Sequence, residues 1–201
     1  MGAADFYAWL MPAVQGELCD GFDAHVLASI LAVGLMDAHE RGCVPSETLG
    51  IGGVRLCGMI DDVFPALRPA FGRFETMAEP DIAEDETCLR DLLRCATAGA
   101  ARDLLLADMV ARRAMAPNHL WQDLGLRSRR ELSWIMERHF EPLATRNTAD
   151  MKWKKFLFRM ICRDEGYRLC SVPVCSECDD FDHCFGDETG ESRMARVRNV
   201  Q

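Results

Sequence analysis

Asp23-Ala-His-Val-Leu-Ala-Ser-Ile-Leu-Ala-Val-Gly-Leu-Met-Asp-Ala-His-Glu-Arg-Gly42 is the stretch on which the fold class turns. Its larger apolar residues, Val26, Leu27, Ile30, Leu31 and Leu35, recur three and four positions apart, which places them on one face of an α-helix. Asp23 is a residue type that caps helix starts and Gly42 one that ends them. The stretch therefore predicts a central core helix.

Working outward, helical patterning continues and no alternating strand of useful length interrupts it. A first helix is expected over residues 5–19. Beyond the Pro45 turn, residues 54–64 read as a helix closed by Pro65, and residues 68–84 as a connection broken by Pro69, Gly72 and Pro80. Helices resume over 85–98 and 100–115, parted near Gly99, with Leu89, Leu92, Leu93, Leu104, Leu105 and Met109 facing a core. Ser128 and Glu131 have the spacing of a capping box and predict a helix over 129–140. Asn147 opens a last helix that runs to about residue 164. The fold class is all-α: a single helical body over 1–168, a cysteine-rich segment over 169–188 and a mobile tail over 189–201. Leu49-Gly50-Ile51, Leu56, Met59, Ile60, Phe64 and Leu67 are echoed by Leu124-Gly125-Leu126, Leu132, Ile135, Met136, Phe140 and Leu143. Two similar helix hairpins account for this echo, and so does chance in a leucine-rich chain.

The net charge of -9 opposes association with nucleic acid or an anionic membrane. Residues 1–5 lack the basic start of a secretory signal, and the apolar run 26–36 is well short of the ~20 residues that cross a bilayer. A soluble, cytoplasmic protein is expected, in a reducing compartment where cysteines are thiols or metal ligands and not disulfides. Of the ten cysteines, Cys19, Cys43, Cys57, Cys88, Cys95 and Cys162 are scattered and read as packing residues. Met109, Met115, Met136 and Met160 read as core filler on the same grounds.

The other four cysteines make Cys170-Ser-Val-Pro-Val-Cys175-Ser-Glu-Cys178-Asp-Asp-Phe-Asp-His-Cys184, a C-x4-C-x2-C-x5-C arrangement. Four soft thiolates this close can converge on one metal or cluster, because short loops lose little entropy on closing. The first three share the C-x4-C-x2-C spacing of plant-type ferredoxins. Structural zinc accepts the same four ligands, and redox-active or unliganded thiols are a third reading. His183 is a further donor or a solvated bystander. A basic run, Lys152 to Arg168, precedes the motif, and an acidic one, Glu177 to Glu188, lies within and after it. These are a solvated face and loop, or they attract an oxyanion and a basic partner. His119 and Trp121 are structural, or His119 approaches the cluster or entering oxyanion.

The run from Met151 to Cys170, continued through Cys184-Phe185-Gly186, resembles the C-terminal signature of the NifQ family of nitrogen-fixation proteins. Asn118-His119-Leu120-Trp121-Gln122-Asp123-Leu124-Gly125-Leu126, followed by Arg130-Glu131-Leu132, is similar to a second stretch of that family. The resemblance implies a non-catalytic carrier of a mixed molybdenum-iron-sulfur cluster, with Cys170, Cys175, Cys178 and Cys184 as ligands. It further implies molybdate as the molybdenum source and delivery to the NifEN scaffold and the NifH iron protein. The competing reading is a zinc-stapled helical adaptor without cargo. A thiol oxidoreductase using Cys175 and Cys178 is disfavoured, since no βαβ context surrounds them.

Overall fold

The computed structural model describes residues 2–15, 20–164, 188 and 192–194. All regular structure among them is helical, in agreement with the all-α expectation. The helices are α1 (Ala3–Leu10), α2 (Gly21–Arg41), α3 (Pro45–Leu49), α4 (Gly53–Val63), α5 (Arg68–Phe71), α6 (Glu84–Cys95), α7 (Ala101–Ala114), α8 (Leu120–Asp123), α9 (Arg129–His139), α10 (Glu141–Ala144) and α11 (Trp153–Asp164).

α2 is the core helix that its apolar spacing predicts: Leu27, Ala28, Ile30, Leu31 and Ala32 are buried, and Gly42 ends it in the left-handed region at φ 65°. Its start differs from the sequence reading. Asp20 is the cap, its carboxylate accepting from the backbone N–H of Phe22 and Asp23 at 2.9 Å each, and Asp23 is buried in the first turn. At 21 residues the helix is long and apolar enough to cross a bilayer, unlike the shorter run 26–36, but 72% of its apolar window is buried inside the fold. That burial is the mark of a core helix.

Other boundaries shift for local reasons. The first helix stops at Leu10 and gives way to a 3-10 turn at Met11–Ala13, since Pro12 removes a backbone donor. Ser128 starts α9 without a side-chain cap, because the Glu131 carboxylate is drawn elsewhere: it accepts from the Arg127 N–H at 2.8 Å and faces His25 Nε2 at 3.2 Å. Asn147 folds a turn and not a helix start; its amide donates to the Met151 carbonyl and accepts from the Met151 N–H, both at 2.9 Å, and α11 begins at Trp153.

The faint sequence echo corresponds to a structural repeat. In each copy a long helix (α2, α7) leads to a short one (α3, α8), then a glycine at positive φ (Gly50 77°, Gly125 72°), then an 11-residue helix (α4, α9) closed by a buried phenylalanine. Phe64 (φ -130°, ψ 51°) and Phe140 (φ -134°, ψ 42°) have nearly the same backbone. The copies interlock reciprocally. A Cβ on Gly50 would lie 2.5 Å from Arg112 Cβ and 3.0 Å from the Asp108 carbonyl on α7, and one on Gly125 would lie 2.8 Å from the Ser29 carbonyl on α2. Each glycine thus lets one copy's turn press on the other's long helix. One continuous apolar core results, to which α11 adds Trp153, Phe156, Leu157, Met160 and Ile161.

Among the scattered cysteines, Cys57 is buried as expected, Cys43 and Cys88 are half-buried, and Cys95 is exposed at the end of α6, where the amphipathic pattern faces outward. Met109, Met136 and Met160 are buried; Met115 is exposed, because α7 ends one residue before it.

Candidate functional site

α11 carries the chain toward the cysteine-rich segment, and one of its lysines ties it to the stretch 116–123. Lys154 is mostly buried and uses all three ammonium donors, on the carbonyls of Ala116 and Asn118 and on Asp123 Oδ2, the last at 2.7 Å. Burial pushes its pKa down against the pull of Asp123. Asp123, at the end of α8, is fully buried and also accepts from Asn118 Nδ2 at 2.8 Å. The loop between α7 and α8 is thereby fastened to α11. Arg113 completes the base from beneath, donating to the Asp123 carbonyl and to Asp37 Oδ2 at 2.7 Å each. Burial lowers the Arg113 pKa, and although burial also disfavours charged Asp37, the guanidinium groups of Arg193 and Arg113 hold its carboxyl below the usual range.

The chain beyond the cysteine-rich segment returns to the same base. Ser192 donates to the Leu126 carbonyl at 2.8 Å, and Arg193 pairs with Asp37 and lies 3.7 Å from Asp123. Met194 packs with Ala3, Ala32 and Val33. These three residues of the tail 189–201 are therefore held against the body. The Glu188 side chain is buried beside His119, with Oε1 3.6 Å from His119 Nδ1, and beside Arg129, whose Nε is 3.9 Å from Oε2. Arg129 is held in turn by Asp150 and the Met151 carbonyl.

Both approaches to the segment thus meet on the stretch 118–126. The four clustered cysteines and His183 lie outside the described residues, and among the described residues no group of three or more His, Cys, Asp or Glu is arranged to hold a metal. His119 is half-exposed at the start of α8, and Trp121 is buried with its Nε1–H unpartnered among the described residues. Sequence reasoning singled out 118–126 without finding Lys154, Asp123 and Arg193 as its fasteners. The signal was present only as an acid among the apolar residues Leu120, Trp121, Leu124 and Leu126 and a lysine in a basic run.

As a class, the described residues define an all-helical body in which one stretch, 118–126, receives the chain on both sides of the cysteine-rich segment. The family model described as NifQ matches residues 26–186. The chain is 38% identical over 172 residues to the "Protein NifQ homolog" of Sinorhizobium fredii (strain NBRC 101917 / NGR234), covering 85% of this chain and 75% of that one. It is 37% identical over 166 residues to the "Protein NifQ" of Rhodobacter capsulatus, covering 82% and 91%, and 40% identical over 86 residues to that of Azotobacter vinelandii, covering 43% and 44%. No solved structure matches it. The chain belongs to the NifQ family, the nitrogen-fixation family whose two stretches its sequence carries.

Proposed function

We propose that this protein carries a mixed molybdenum-iron-sulfur cluster and delivers molybdenum for the iron-molybdenum cofactor of nitrogenase, without catalysing a reaction itself. The cluster is cargo. Cys170, Cys175, Cys178 and Cys184 hold it, because closely spaced thiolates are the soft ligands that iron-sulfur assemblies take. Molybdate is the source of the metal, NifEN and NifH are the recipients, and the setting is the reducing cytoplasm.

One observation carries the reading. The family match runs through residue 186 and so takes in all four cysteines, while the structure fastens the chain on both sides of them to the base at 118–126. Cargo held by a segment between two fixed points can be gained and lost without opening the core, which suits delivery. The test is anaerobic purification with iron, sulfide and molybdenum analysis, followed by X-ray absorption at the molybdenum edge. Sulfur and iron neighbours are expected. A purely oxygen shell overturns molybdenum in the cluster, and a colourless protein with a single zinc replaces the carrier by a zinc-stapled adaptor.

A further inference from the structure

Where α4, α6 and α7 meet, four guanidinium groups rest on two carboxylates. Asp108, fully buried on α7, receives Nε and Nη2 of Arg94 at 2.8 Å each, Nη1 of Arg55 at 2.6 Å and Nη1 of Arg90 at 3.4 Å. Glu86, buried on α6, receives Arg90 at 2.6 Å and Arg112 at 3.0 Å. Among the described residues one further acid pairs with any of the four: Asp91, 3.9 Å from Arg94 Nη1 and 67% exposed, where water screens it. In a chain of net charge -9 this is a local surplus of cations. Charge held against a protein interior is costly unless it is compensated, so the surplus favours an anion.

The surplus falls on two of the four. Arg90 and Arg112 are turned inward and also donate to the Gly50 and Asp81 carbonyls. Arg55 and Arg94 reach solvent, with side chains 33% and 42% exposed, and they stand side by side because both meet Asp108 Oδ2. Arg55 keeps Nε and Nη2, and Arg94 keeps Nη1, without a hydrogen-bond acceptor among the described residues. We propose that Arg55 and Arg94 form a binding site for a tetrahedral divalent oxyanion of the molybdate and phosphate class, received by these spare donors. The guanidinium fork matches such an ion in geometry and charge. Asp108 holds both side chains in place beforehand, so little rotamer freedom is lost on binding, and Arg90 behind it offsets the carboxylate charge that would otherwise repel the ion. As the place where molybdate first meets the chain, the site rests on the carrier reading; as an oxyanion site it does not.

The test is equilibrium dialysis at low ionic strength, with phosphate on the parent chain and with molybdate on the chain in which Cys170, Cys175, Cys178 and Cys184 are Ser, so that thiolates take up no molybdenum. One oxyanion per chain is expected, and R55Q and R94Q should each weaken binding by about tenfold or more. Both variants should fold, since Asp108 keeps Arg90 and Arg94 in the first and Arg90 and Arg55 in the second, and circular dichroism checks this. Phosphate should also raise the parent Tm beyond chloride of equal ionic strength, and R55Q should lose that increment. Neither ion bound, binding unchanged in both variants, or a Tm loss in R55Q that is the same with and without phosphate overturns the site. Should the four-serine chain fail to fold, the phosphate arm decides alone. Tighter binding of molybdate than of phosphate makes the occupant cargo, and the reverse makes it phosphate. A parent chain that builds no cluster, yet binds either ion through Arg55 and Arg94, removes the carrier reading and leaves this site standing.

Discussion

Lys154 and His139 are the side chains whose surroundings make the sharpest claims. Replacing Lys154 by Met keeps the apolar stem but leaves the fully buried Asp123 short of its ammonium partner, and losing one member of a buried pair costs roughly 3 kcal/mol. K154M should therefore lower the denaturation midpoint well beyond the neighbouring surface change K155M, read by urea titration. The His139 ring is buried between Asp103 and Asp23, with Nδ1 2.9 Å from Asp103 Oδ1 and Nε2 3.0 Å from Asp23 Oδ1. Both ring nitrogens face acceptors, so only the protonated ring donates to both. Burial opposes the charge, but the hydrogen bonds and charges of Asp23 and Asp103 outweigh it and raise the pKa. A raised pKa stabilises the fold fully below the unfolded value of about 6.5, and that contribution is lost as pH rises through the folded value. Stability should accordingly fall on the alkaline side of about pH 6.5, and H139Q should flatten that slope; an identical slope in H139Q would count against the assignment.

At the scale of elements, the interlocked repeat predicts an ordering among glycine substitutions. Gly42 at φ 65° has open space around it, so Gly42→Ala bears only the left-handed backbone cost of roughly 1 kcal/mol. Gly50 and Gly125 add a steric clash with a helix backbone, and Gly50→Ala or Gly125→Ala should cost about 2–4 kcal/mol. Thermal unfolding of the three variants checks the order, and equal losses would mean that the close approach of turn to helix is not what those glycines serve. The same elements show how far the sequence could be read. α2, α4, α6 and α7 were legible because apolar spacing and glycine or proline punctuation are local properties. What was not legible depends on distant partners. Asp23 looks like a cap but is claimed by His139, 116 residues away, and Glu131 looks like half of a capping box but is claimed by His25, 106 residues away. The repeat itself was visible only as seven matching apolar positions and a glycine, because the feature that distinguishes it from chance, each glycine resting on the other copy's helix, is a tertiary contact. The candidate site divides the same way: cysteine spacing marks the proposed ligands, whereas the base at 118–126 takes its meaning from Lys154 and Arg193, which only folding brings to it.

On the scale of the whole molecule, the question is whether the body needs the cargo. Among the described residues the main apolar core runs from Leu10 to Ile161 and is shared by α2, α4, α7, α9 and α11, so all of its members precede the cysteine-rich segment in the chain. The links on the far side are polar contacts of Ser192 and Arg193 to the Leu126 carbonyl, Asp37 and Asp123, with one partly buried apolar residue, Met194, resting on Ala3, Ala32 and Val33; Asp37 keeps Arg113 and Asp123 keeps Lys154 without them. On the carrier reading proposed above, metal binding should therefore be coupled only weakly to the folding of the body, unlike in small metal-stapled domains that unfold when stripped. Cys175→Ala should abolish iron loading while far-ultraviolet circular dichroism stays at the parent level and Tm falls by no more than about 4 °C, which for a chain of this size corresponds to about 1 kcal/mol. Chelating the metal from the parent protein should have the same small effect. Leu157→Ala supplies the contrast: it empties a fully buried position where α11 meets the core and should cost about 3 kcal/mol, several times the cysteine change. If Cys175→Ala instead lost its helices cooperatively, to the extent that Leu157→Ala does or beyond, the body would be folding around its cargo, and delivery would require the protein to come apart.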